Sequence, residues 1–580
     1  MKIPFLPSSS PAVRLFLPLA LASALEAFAG DGSRVYWVSP TGAAAWAAAE
    51  SATPLQDAAC TSLPTATTNV TAGDTVFLRG GTYNSGLIIR GKNGTLAARI
   101  SFLAYNDEVP VLKNTTNFVV TGRYNGLYFS ECKYIRVVGI QFFRVSGDYL
   151  FELGRSSSHN EFSHCLFDGG GSFAVVNIWK GNTAGPDSDS CTHNWLHHCV
   201  FRNTGTIKGD PVDDLGGMQI GIYMGGAGFE QVSGNNTIEY CTFSSGGHHN
   251  LETYTKYNVI RNNYFHFEGS MPNNSGFTPL YGPDVNGKWG NRNIQIYDGN
   301  SSDGMFNLLE GNRFGHSGPP PDDDGGDGMT IAAPKNIIRY NFIFNSLNNG
   351  VLFKTGGGSF ADNNKFYNNT VYKSGRFHNT GPQWQGYSFR WYGSYVRTGN
   401  SIINNIFNTH GGLSDLNTNS GNNTIQNNWL TSDGDPKFVD PNVDDPSNVT
   451  LPNLNIAPDS PVIDRGTHLT TAQGAGTAST SLVVQDALFF QDGTWGSSLS
   501  TVHADWIAVG TISNVVQISA INYNTNTLTL AVPMTWSNAA KIWLSGNSNG
   551  DTLLRSNAPD IGAGADRGPL PSPPSILRIH

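Results

Sequence analysis

Charge is scarce in this sequence. Only 14% of its 580 residues are Asp, Glu, Lys or Arg, and acidic residues outnumber basic ones 44 to 35, for a net charge of −9. A nucleic-acid partner calls for a basic footprint, and the sequence offers none, so that class is set aside. A local basic groove for an anionic glycan stays compatible with the overall balance. Long apolar runs are missing too, with one exception. Residues 15–29 are apolar but short for a bilayer span; Lys2 and Arg14 precede or flank them, and Ala27-Phe28-Ala29 fits a small-x-small cleavage pattern. Residues 1–29 therefore read as an export signal, with a mature chain from Gly30 and no membrane span thereafter. Cysteine is limited to six residues. Cys165, Cys199 and Cys241 recur at one place in a repeat, where a buried column of thiols and a disulfide are equal alternatives; Cys60, Cys132 and Cys191 have no evident pairing.

What the sequence has is turn formers and a repeat. Gly reaches 67 residues and Pro 30, which suits many turns and few helices. One pattern recurs: Asn, any, apolar, any, any, Cys or Asn, any, apolar. It runs as Asn160-Glu-Phe-Ser-His-Cys165-Leu-Phe167, then from Asn194, Asn236, Asn258, Asn307, Asn336, Asn364, Asn400 and Asn423, with a degenerate copy over 134–142. Apolar residues two apart read as a strand; the parity then slips by one, as a strand, a sharp bend and a second strand require. Asn suits the bend, since it tolerates a left-handed backbone and bonds its own main chain. The shortest spacing, 22 residues, is about one turn of a three-strand coil, and longer spacings of 42, 49 and 36 imply inserted loops. The Leu-x-x-Leu-x-Leu signature of a leucine-rich solenoid is absent. The period predicts an all-β, right-handed parallel β-helix, a solenoid whose core lengthens without thickening. The fourth position of four successive copies is Glu239, Arg261, Glu310 and Arg339. Facing away from the core, these predict an exposed ladder of alternating charge, each member worth roughly 0–1 kcal/mol.

The opening Val35-Tyr-Trp-Val-Ser-Pro-Thr-Gly42, the stretch from Ala72 to Tyr83, the Asn repeats, Ser460-Pro-Val-Ile-Asp464 and Pro559-Asp-Ile-Gly-Ala563 resemble the right-handed β-helix proteins of the pectate-lyase-like superfamily. The resemblance implies this fold, secretion and a glycan-binding strand face, and names no particular activity, since the family includes lyases, hydrolases, epimerases and proteins without chemistry. Its last two motifs usually lie close in sequence; here alternating strand-like segments separate them. The chain thus divides into a signal (1–29), a capped β-helix (30–466), a small inserted β-domain (467–557) and a return segment with tail (558–580). Packing and ligand binding are equal readings of the insert.

Chemistry is expected on the third strand of each turn. If Leu251, Ile294, Met329 and Val351 point inward, then Glu252, Gln295 and Thr330 point outward, with Lys354 and Arg390 on the same face. Lys354, Arg390, His249 and Glu252 are the candidate catalytic groups. Trp384, Trp391 and Tyr392, with Tyr387, Tyr395 and Arg397 in the same loop, supply ring faces and guanidinium groups for sugars, as do Trp289, Tyr254 and Tyr297. Asp322, Asp323, Asp324 and Asp327 concentrate carboxylates in an acidic Gly-Pro loop that could hold Ca2+, though their spacing is not that of an EF-hand. By resemblance to lyases, that ion would neutralise a uronate carboxylate. His248, His249 and Glu252 lack a third zinc ligand at recognisable spacing. Asp213 and Asp214, with the outward carboxylates, keep a hydrolase open. The leading expectation is a secreted, monomeric polysaccharide lyase acting on a uronate-containing glycan. Its rivals are a non-catalytic glycan-binding or matrix protein and a glycoside hydrolase.

Overall fold

The computed structural model describes residues 34–113, 125–143, 149–169, 176–178, 191–202, 218–220, 234–244, 249–266, 292–297, 306–317, 326–355, 360–375, 386–393, 395–410, 414–417, 421–442 and 451–564. Three long sheets of 13, 11 and 10 strands wind around one core, and every strand pair within them is parallel. A turn of the coil visits each sheet once. Thr237–Glu239 lies in the first sheet, Thr242–Ser244 in the second and His249–Thr253 in the third. The architecture is the right-handed parallel β-helix expected from the period. Among the described residues no helix is long and apolar enough to cross a membrane.

The repeat sets the register throughout. Ile238, Ile260, Leu309, Ile338, Phe366 and Ile402 form one inward column of the first sheet. In the second sheet Phe142, Phe167, Phe201, Phe243, Phe265 and Phe314 stack ring on ring, with centroids 4.7 to 5.0 Å apart. That distance is the strand spacing itself, so each ring is delivered to its neighbour by the backbone.

The Asn residues do something other than adopt the bend. The left-handed residue is the one before: Asn235, Tyr257, Phe306, Lys335 and Asn363 all have φ between 44° and 61°. The ladder Asn then bonds along the solenoid axis. The Asn258 side-chain oxygen accepts from the backbone N–H of Asn236 (3.1 Å), and that of Asn307 accepts from the backbone and side-chain nitrogens of Asn258 (3.0 and 2.9 Å). Every rung thereby satisfies a buried donor of the rung before it, which removes the main cost of turning backbone inside a core.

All six cysteines are free and buried. Cys165, Cys199 and Cys241 form a thiol column at the second ladder position. The Cys241 thiol donates to the Leu196 carbonyl (3.6 Å), and in the next rung Asn263 donates to the equivalent Ile238 carbonyl (2.8 Å). Cysteine here is a smaller, more apolar stand-in for Asn.

Flat rings also stack at the bends. Tyr134, His159 and His193 form one file, and His164, His198 and Tyr240 another. Burial, with the neighbouring His193, pushes His159 down to about 4, and burial lowers His164, His193 and His198 as well. Groups held neutral in the folded chain but protonated in the unfolded one make stability fall as pH drops from about 6.5 towards 4. A thermal melt series over that range should show the loss; a flat profile would argue against the stacked neutral imidazoles.

The charge ladder forms in the predicted register, but it is not exposed. Arg261 Nε lies 2.6 Å from Glu239 and Arg339 Nε 3.2 Å from Glu310. Arg339 and Glu310 are completely buried. The insert covers them. Six antiparallel strands between Thr470–Thr471 and Lys541–Gly546 form its sheet. Its Phe489, Phe490 and Trp495 share an apolar cluster with Val259, Leu308, Ile337 and Tyr367 of the first sheet. Asp505 receives both terminal nitrogens of Arg339 at 2.7 Å, Ser548 donates to Glu310, and Arg261 donates to the Ser548 and Thr501 carbonyls (2.6 and 2.8 Å). Burial works against the Arg339 charge, and Asp505 and Glu310 outweigh it, holding the guanidinium protonated. The chain returns to the solenoid where Ile561 bonds Val462 (3.1 Å) and Gly466 bonds Pro559 (2.6 Å).

Candidate functional site

With the first sheet capped by the insert from Thr237 to Ile403, the third sheet carries the candidate chemistry. Its inward column reads Met218, Leu251, Ile294, Met329, Val351 and Phe389, all in the core. Strand alternation then aims the intervening residues outward in rows along the solenoid axis. The central row includes Glu152, Glu252, Gln295, Thr330, Leu352 and Arg390. Two residues further along each strand a second row holds Tyr254, Tyr297, Ala332, Lys354 and Tyr392. The ladder continues through it, the Lys354 and Tyr392 amides bonding Ile331 and Phe353 (2.9 Å each).

The four candidate catalytic residues fall into two groups. His249 and Glu252 sit together, with His249 Nε2 3.3 Å from a Glu252 oxygen and Gln295 donating to the other oxygen. Arg292 pairs with His249 across the rungs. His249, Glu252, Arg292 and Gln295 are all buried, although Glu252 and Gln295 belong to the outward row. Arg292 escaped the sequence reading; its place before ladder residue Asn293, equivalent to that of His249 before Asn250, is the signal that finds it. Lys354 lies three strands away from Glu252 and two residues along, about 16 Å by strand geometry. It belongs instead with Arg390 on the adjacent rung, about 8 Å away along the sheet diagonal. The Arg390 guanidinium lies 5.0 Å from the Tyr392 ring and 6.0 Å from the Tyr387 ring, which fix it by cation–π contact.

Several expected binding residues take other places. Trp391 is 4% exposed and packs inside the core against Phe353 and Phe389, so its ring face is closed to a sugar. Its neighbour Arg390 points outward, and two consecutive strand residues cannot share a face. Arg397 is fully buried and donates to the Tyr395 (2.7 Å) and Tyr392 carbonyls, bracing the turn after the Arg390 strand. Tyr254 and Tyr297 do share the outward row, edge to face at 5.7 Å. Trp289 and Trp384 lie outside the described residues, as do Asp213, Asp214, His248, Asp322, Asp323 and Asp324. Asp327 is fully buried at a bend, where one oxygen accepts from the backbone and side-chain nitrogens of Asn349 (3.1 and 2.8 Å). Among the described residues no group of three or more His, Cys, Asp or Glu is placed to hold a metal ion. Glu152 and Glu252, the outward carboxylates of the central row, are three rungs or about 14 Å apart, beyond the separation that paired-carboxylate hydrolysis uses.

No family model matches the sequence, and no curated protein sequence matches it. Among solved structures, the chain is similar to the pectate lyase Pel9A (17% identity, TM-score 0.46, covering 76% of this chain and 94% of that one). It is similar to a rhamnogalacturonan lyase (14%, 0.44, 74% and 95%). A third is a PL6 family polysaccharide lyase from Pseudopedobacter saltans (14%, 0.36, 70% and 96%).

Proposed function

We propose that this chain is an exported polysaccharide lyase that cleaves a uronate-containing glycan by β-elimination. The observation that carries the reading is the Lys354–Arg390 pair, two basic side chains on adjacent rungs of one outward face, bordered by Tyr387 and Tyr392. Elimination needs a base at the C5 proton and positive charge at the neighbouring carboxylate, where negative charge develops. Lys354, in its neutral amine form, takes the proton and becomes the ammonium while Arg390 holds the carboxylate. The electrons of the C5–H bond form the C4=C5 double bond, the C4–O bond breaks, and the departing oxygen takes up a proton. Calcium enters this proposal only through Asp322, Asp323 and Asp324, because Asp327 is committed to Asn349.

The test is incubation of the mature chain with a panel of uronate polysaccharides, following the ultraviolet absorbance of unsaturated products. Lys354→Ala should lower the rate by a factor on the order of 100 or more without moving the melting temperature. Undiminished turnover in that variant, or reducing ends released without the absorbance, would overturn the reading. Chelation of divalent ions should slow the parent if the aspartate loop holds calcium for the reaction, and leave it unchanged if that part is wrong.

A further inference from the structure

The insert has a second face, turned away from the first sheet. Along Trp506–Val509, Ile507 and Val509 enter the cluster that docks on the solenoid, so Trp506 and Ala508 point the other way. Along Lys541–Gly546 the same alternation sends Ile542 and Leu544 inward and Lys541 and Trp543 outward. Trp543 pairs with Ala508, and Ala508 with Val515, so these three form a row across neighbouring strands. Trp506 stands two residues along from Ala508, about 8 Å from Trp543 by strand geometry, and opposite Gln517. Trp506 is 41% exposed and Val515 43%.

These are unusual residues to leave in water. A Trp presents a broad apolar ring, and burying it is normally worth having. On this face the small Ala508 is completely buried beside the two indoles. None of the six strands of this sheet carries an Asp or Glu, whereas Lys541 lies beside Trp543 on the outward side. His468, whose ring is 6.3 Å from that of Trp543, is held below its ordinary value by burial and by the Lys541 ammonium.

We infer that this outward face of the insert, built on Trp506, Trp543 and Lys541, is a second glycan-binding platform that holds an anionic polysaccharide chain. Pyranose rings present flat C–H surfaces that match indoles left open to solvent, and the Lys541 ammonium on strands free of Asp and Glu favours a sugar acid over a neutral chain. The platform lies on a different sheet from Lys354 and Arg390, so it would keep a long chain near the protein without entering the reaction. The inference takes from the proposed elimination only the anionic character of the glycan.

Electrophoresis of the full mature chain through gels containing polygalacturonate, alginate or neutral hydroxyethylcellulose tests it. The anionic gels should retard the parent, and the Trp506→Ala/Trp543→Ala variant should lose about tenfold in apparent affinity. Lys541→Ala should weaken retardation in the anionic gels, with melting temperatures held. Turnover of short oligosaccharides should be unchanged in both variants. Retardation altered less than roughly twofold by the double variant, or equal in the neutral gel, overturns the platform. Lys354→Ala should be retarded like the parent, so absence of turnover with Trp-dependent retardation would sink the lyase reading and leave this one standing.

Discussion

Replacing Arg339 by alanine is expected to destabilise the protein by about 3–5 kcal/mol, the range for breaking one side of a buried charge pair. The guanidinium stands between Glu310 of the solenoid and Asp505 of the insert, and all three side chains are out of water. Its removal leaves two carboxylates facing one another in an apolar seam. Each must then stay charged without a cation or take up a proton. The cost arises from those orphans rather than from the lost attraction, and that distinction is testable. Adding Asp505→Asn to Arg339→Met removes one orphan charge and should recover part of the loss. A change below about 1 kcal/mol for Arg339→Ala in thermal or denaturant unfolding would mean that the insert does not seal this ladder.

The sequence-based value for the same residue is the one proper to a solvent-exposed pair, and the difference shows where sequence reasoning stopped. The alternation Glu239, Arg261, Glu310, Arg339 was legible because the repeat assigns each to one position, and parity sends that position outward. What covers an outward face is a tertiary fact. Phe489, Phe490 and Trp495 announce that the insert has an apolar side, but nothing local says that it meets Val259, Leu308 and Ile337 rather than solvent or another sheet. The ladder Asn residues were read correctly as bend markers for an incomplete reason. Their period is visible; the bond from one rung to the next is not, because the partner is up to 49 residues away.

The candidate site divides along the same line. Glu252, Gln295, Thr330 and Arg390 fall on the outward row because strand parity carries over from turn to turn. Parity also assigns Trp391, since an outward Arg390 requires an inward neighbour; the aromatic richness of the loop carries no information about which ring faces outward. That Lys354 and Arg390 are near each other while Glu252 is not depends on counting rungs. The long segments between turns hide that count until the strands are paired.

The second large effect tests the register on which all of this rests. Leu309 sits inward between Ile260 and Ile338 and is completely buried, so Leu309→Asp should cost several kcal/mol. Two terms add. Loss of the isobutyl group leaves a cavity, as large-to-small core changes do at about 2–5 kcal/mol, and the new carboxyl finds only apolar neighbours along its column. Against a typical total stability of about 5–15 kcal/mol, this should leave little folded protein to recover. An interior rung cannot be skipped, since each turn buries its edges only against the next. The carboxyl must take up a proton to remain inside, so its folded-state pKa lies above the unfolded value near 4. The deficit should therefore be larger at pH 7 than at pH 4, once the separate acid loss of the parent is subtracted. Leu309→Met, which keeps volume and polarity, should cost under about 1.5 kcal/mol. Unfolding curves for the three chains at both pH values supply the comparison. If aspartate and methionine behave alike, position 309 faces solvent, and the outward row bearing Lys354 and Arg390 loses its frame of reference.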